Sequence, residues 1–132
     1  MPGTGRYHRR MTIQDMMERS ASEVELGAAA SLFRSLGDPG RLMILQHLQH
    51  GEHRVRELTE HLGLAQSTVS AHLACLKDCG LVVSRPVGRA SMFSLAVPAE
   101  LLGVFEAAER LLEATGYAVD LCPVYGSNGT AR

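Results

Sequence analysis

The chain of 132 residues is 45% hydrophobic and 20% charged, which suits one globular domain with a small core that self-association would enlarge. No apolar run nears the ~18 residues of a membrane span, and MPGTGRYHRRMTIQDMMERS has no secretory apolar segment, so the expectation is a non-membrane protein of the reducing cytoplasm whose three cysteines form no disulfide framework. A net charge of −1 is not the strongly basic balance of many DNA-binding domains, but between Pro39 and Val97 six Lys/Arg stand against four Asp/Glu.

Residues 1–19 read as a flexible basic arm carrying Arg6, Arg9 and Arg10, helical only near its end. Residues 20–118 are expected to hold the folded domain. In SASEVELGAAASLFRSLGD, Ser20 with Glu23, or Ser22 with Glu25, fits a capping box. Val24, Ala28, Leu32 and Leu36 then make one apolar stripe, and Leu26, Ala29 and Phe33 a second. In DPGRLMILQHLQHG, Asp38 is the expected N-cap, Pro39 the first helical residue and Gly51 the stop, with Leu42, Leu45 and Leu48 at helical spacing.

RVRELTEHLG forms a short amphipathic helix through Val55, Leu58 and Leu62 that stops at Gly63. QSTVSAHLACLKDCG forms another, with Val69, Leu73 and Leu76 as its seam and Gly80 as its end. Two short helices joined by a glycine-containing turn are a helix-turn-helix pattern. The period then changes. Val83, Phe93 and Leu95 in LVVSRPVGRASMFSL predict a two-stranded hairpin, or wing, turning at Pro86 and Gly88. A last helix places Leu101, Val104, Phe105, Ala108, Leu111 and Leu112 on one stripe, and residues 119–132 form a tail containing Cys122.

The segments LFRSLGDPGRLMILQHL, VRELTEHLGLAQSTVSAHLACLKDCGLV and RPVGRASMFSL together resemble the ArsR/SmtB family of bacterial metal- and stress-responsive repressors. The resemblance covers roughly Ala28 to Leu95. It implies a mainly α fold with a small β-hairpin wing, a dimeric winged helix-turn-helix. One family site uses a Cys-x-Cys, but Arg54 and Arg56 stand at the matching positions here. Another uses Asp and His on the final helix, and no histidine follows His72. The pair Cys75 and Cys79 with a distant Cys122 resembles the cadmium- and lead-sensing subgroup of CmtR type.

The helical positions are consistent with that division of labour. With Val69 as origin, Leu73 and Leu76 fall within about 40° of it, and Ser67, Ser70, Ala74 and Lys77 between about 80° and 160°. Cys75 and Cys79 fall at about −120° and −80°, on a third face. Side chains four apart are neighbours, so both thiolates can reach one ion, and Cys122 is the only further cysteine. Three sulfurs suit Cd(II) or Pb(II). Zn(II) would want a fourth ligand, from His72, Asp120 or water. The competing reading makes both helix cysteines small hydrophobes of the interior. His72 reads as a helix–core or DNA-side residue, and His47, His50, His53 and His61 as surface positions without assigned chemistry.

The expected function is therefore a homodimeric repressor that binds operator double-stranded DNA when metal-free and is released by Cd(II) or Pb(II) at Cys75, Cys79 and Cys122. Gln66, Ser67, Thr68 and Ser70 would face bases, and Arg85 and Arg89 on the wing would contact phosphate or the minor groove. The first and last helices would form the dimer interface. Ala65 stands where a capping Ser is expected. The alternative on the same scaffold is a thiol redox or persulfide sensor, or an As(III) sensor. No nucleophile–base arrangement and no phosphate loop is legible, so an enzyme is not expected.

Overall fold

A computed structural model describes residues 11–122 of the chain. Five helices and three strands follow in the order α1 (Ile13–Leu36), α2 (Pro39–Leu48), β1 (His53–Arg54), α3 (Val55–Leu62), α4 (Gln66–Asp78), β2 (Val82–Val87), β3 (Ala90–Leu95) and α5 (Pro98–Ala114). The described residues divide into two compact units, one ending at Phe33 and the other beginning at Arg34.

The first unit is most of α1. The helix starts at Thr12 and not at Ser20 or Ser22. Asp15 N–H donates to Thr12 Oγ1 at 3.0 Å, and Thr12 N–H donates to Asp15 Oδ2 at 3.2 Å. This reciprocal pair does the work of a capping box with Asp at the third position. The expected boxes at Ser20 and Ser22 thus lie inside the helix. Residues 13–19 of the expected arm are helical, while Arg6, Arg9 and Arg10 lie outside the described residues. Neither apolar stripe is buried in a single chain: Val24, Leu26 and Phe33 are 70%, 66% and 66% exposed.

The second unit holds the core. Asp38 caps α2 as expected, accepting Arg41 N–H at 3.1 Å, with Pro39 in the first turn. Ile44, Leu45 and Leu48 of α2 meet Leu58 of α3 and Val69, Leu73 and Leu76 of α4, with Leu81, Val82, Leu101 and Phe105 closing the interior. The expected Leu42 is only half-buried, and Ile44 takes its place. Gly63 ends α3 in the left-handed region at φ 67°. Gly80, at φ 79°, ends α4 in a Schellman arrangement in which Leu81 N–H reaches back to Leu76 C=O at 2.9 Å. That reversal buries Leu81 and launches β2.

The sheet has three strands rather than two, in the order β1-β3-β2, all antiparallel. The extra strand is the two residues His53 and Arg54, which pair with Phe93 and Met92. Val87 pairs with Ala90 across a two-residue loop, Gly88–Arg89, with Gly88 at φ 62°. Pro86, expected in the turn, instead sits within β2 opposite Ser91. An edge strand tolerates it because an outward position needs no N–H donor.

Candidate nucleic-acid interface and metal-binding side chains

The helix-turn-helix is α3, a turn at Gly63–Ala65, and α4. Val69, Leu73 and Leu76 hold α4 to the core, which turns Gln66, Ser67, Thr68 and Ser70 out to solvent at its N-terminal end. Small polar side chains there allow close approach of a groove edge. Ala65 occupies the N-cap with no side-chain hydrogen bond, as its residue type dictates.

The wing arginines differ in their surroundings. Arg85 forks onto Glu52, with Nε donating to Oε2 at 3.0 Å and Nη2 to Oε1. The Arg85 hydrogen bond lowers the Glu52 pKa, and Glu52 raises that of Arg85. Arg89 sits exposed at the hairpin tip with no ion pair among the described residues. Lys77 Nζ donates to Ser84 Oγ at 2.9 Å and so ties α4 to the wing.

His72 is a tie between helices. Its Nε2 lies 3.3 Å from Asp38 Oδ2 and its Nδ1 lies 3.4 Å from Arg41 Nη1. Arg41 also donates from Nε to Ser35 C=O at 2.6 Å and from Nη2 to Arg34 C=O at 2.9 Å. The end of the segment leading into α2 is thereby fixed against α4.

The three cysteines are half-buried and form no disulfide among the described residues. Cys75 Sγ lies 3.9 Å from the hydroxyl of buried Ser35. Cys79 is the C-cap of α4, and its thiol donates to Cys75 C=O at 3.2 Å. Cys122 sits elsewhere. Its N–H and that of Leu121 donate to one oxygen of Glu109, Oε2, at 2.9 and 2.6 Å. Gln46 Nε2 donates to the carbonyls of Asp120 and Leu121 at 3.1 and 3.3 Å. Cys122 lines a cavity with Met43, Gln46, His47, His50, Leu62 and Asp120. The three thiols do not gather within one chain: the metal-competent group among the described residues is His47, His53 and His61.

The sequence expectation for these histidines is surface positions without assigned chemistry. His47 Nε2 lies 2.7 Å from His61 Nδ1, and His53 Nδ1 lies 2.9 Å from Gly51 C=O. Partial burial, then the neighbouring His53, His61 and His50, lower the His47 pKa. The sequence signal was four histidines, His47, His50, His53 and His61, within fifteen residues.

Comparison with known proteins accords with this arrangement. The profile described as bacterial regulatory protein, arsR family, matches residues 38–84. The probable mercury resistance operon repressor of Streptomyces lividans is 37% identical over 103 residues, covering 78% of this chain and 82% of that one. The HTH-type transcriptional regulator CmtR of Mycobacterium bovis is 46% identical over 74 residues, covering 56% of this chain and 63% of that protein. Among solved structures, the homodimeric winged helix-turn-helix DNA-binding domain from Mycobacterium bovis superposes with a TM-score of 0.63 at 29% identity, covering 74% of this chain and 94% of that one.

Proposed function

Because the chain belongs to the arsR family of bacterial regulatory proteins, we propose that it is a homodimeric transcriptional repressor that binds operator DNA in the cytoplasm and releases it on binding a thiophilic cation. The observation that carries this reading is the double use of α4. Its first turn offers Gln66, Ser67, Thr68 and Ser70 to solvent, and its last turn and cap carry Cys75 and Cys79. An ion held at one end of this helix acts on the element that reads DNA at the other.

The donor set fits a soft ion. Cys75 and Cys79 supply two thiolates one turn apart, and Cys122 supplies a third. Cd(II) or Pb(II) suits such a set, and Zn(II) suits it with a further ligand. Within one chain Cys122 is clamped beside α2 by Glu109 and Gln46, which favours a site completed by a second copy of the chain. The exposed apolar side chains of α1 and α5, Phe33 and Leu111 among them, supply surface for such a dimer. The CmtR relative and the homodimeric solved domain support the same reading.

The test is anisotropy of a labelled operator duplex during Cd(II) titration of reduced protein. Cd(II) releases the wild-type chain, and Cys75→Ser, Cys79→Ser and Cys122→Ser each block release. Mixing the Cys75→Ser/Cys79→Ser chain with the Cys122→Ser chain restores thiolate-to-cadmium absorption if the third sulfur comes from the second copy. Release that survives Cys122→Ser overturns the three-thiol site. Release by peroxide or polysulfide in chelated buffer, with Cd(II) inert, establishes the redox reading instead. Release by As(III) alone reassigns the ion.

A further inference from the structure

We propose that His47, His53 and His61 form a second cation site, separate from the thiols, for a borderline divalent ion of the Zn(II) or Co(II) kind. One nitrogen from each ring lies within 4.8 Å of the others. The three rings come from different elements, α2, β1 and α3, with centroids 4.8, 5.0 and 5.8 Å apart.

The ring orientations suit ligation. His53 Nδ1, 2.9 Å from Gly51 C=O, donates there, so its proton is fixed on Nδ1 and its Nε2 lone pair is left for a cation. His47 Nε2 and His61 Nδ1 already face each other at 2.7 Å. Bonds of about 2.0–2.1 Å to tetrahedral zinc place two nitrogens about 3.3 Å apart. The pair therefore opens by about 0.6 Å, which exposed His61 can supply by rotating. Imidazole donors suit Zn, Cu and Ni more than hard cations, and three of them leave a fourth position for water.

The position gives the site a role. An ion here pins α3, the first helix of the helix-turn-helix, to α2 and to the strand that joins the wing sheet. It would brace the DNA-reading unit without touching Cys75 or Cys79.

The experiment uses the full chain with Cys75→Ser, Cys79→Ser and Cys122→Ser, which removes all thiol ligation. Co(II) is titrated and followed by visible d–d absorption, with Zn(II) displacement and thermal melts. One Co(II) binds per chain without thiolate charge-transfer absorption, and Zn(II) raises Tm because it binds the folded state. His61→Gln weakens binding by at least about tenfold while the apo Tm holds, since that side chain is exposed. Zn(II) also protects His47, His53 and His61 from diethylpyrocarbonate in the thiol-free chain, a readout that needs no histidine variant. No uptake of either ion, undiminished binding by His61→Gln, or unprotected histidines overturns the site.

Discussion

His72 Nε2, on the second helix of the helix-turn-helix, lies 3.3 Å from Oδ2 of Asp38, the residue that caps α2. The contact needs a bare backbone beside it. A Cβ built on Gly40 would sit 2.8 Å from the same His72 nitrogen. The start of α2 and the middle of α4 are thus locked by one carboxylate, one imidazole and one missing side chain.

That lock is acid-sensitive. The Arg41 backbone N–H is the main cause of a lowered Asp38 pKa; desolvation opposes it, and the charges of His72 and Arg41 reinforce it. A carboxyl whose pKa is depressed by folding contributes stability above its usual range and loses it as pH falls through the folded value. Asp38→Asn therefore lowers Tm at neutral pH and flattens the acid limb of the Tm–pH curve. Parallel curves for the two chains would contradict the assignment.

The uncapped start of α4 is correctable. Ala65 has φ −64° and ψ 146°, the extended geometry of a capping residue, but no side-chain acceptor. Ala65→Ser gains about 1 kcal/mol of unfolding free energy, read as a higher urea midpoint at unchanged m. A lower midpoint would show that the hydroxyl cannot reach the amides of Ser67 or Thr68.

The wing arginines are expected to contribute unequally to operator binding. Arg89 at the hairpin tip is available to phosphate, whereas Arg85 is engaged by Glu52. Arg89→Ala reduces the slope of log K against log salt by about 1. Arg85→Ala changes it less, and Glu52→Gln steepens it by releasing the Arg85 guanidinium. Equal slopes for the two arginine variants would remove the distinction.

Two apolar residues of α5 separate folding from assembly. Phe105 is 1% exposed and Leu111 is 68% exposed. Phe105→Ala costs about 3–5 kcal/mol of chain stability, measured by denaturant unfolding. Leu111→Ser leaves the fold intact and shifts sedimentation equilibrium toward monomer. A Leu111→Ser chain that stays dimeric would place the interface elsewhere.

The reading frame of the fold was legible where signals were local. Asp38-Pro39 opened a helix, Gly63 and Gly80 closed two, and the spacing of Val69, Leu73 and Leu76 marked the buried side of α4. Misses came where a distant partner decides. His53 and Arg54 are a strand only because Met92 and Phe93 lie beside them. Pro86 looked like a turn residue because nothing nearby reveals that β2 is an edge. The start of α1 was misplaced because Asp at the third position did the work expected of Glu. The histidine group escaped because it depends on the chain reversing after α2 and on α3 packing back.

Cys122 is held through the peptide backbone: Glu109 grips its N–H, and Gln46 the carbonyls just before it. Address and chemistry are therefore written in different residues. A chain of this design can exchange the side chain at position 122 for another donor, and so change which ion it answers, while residues 120–122 keep their berth.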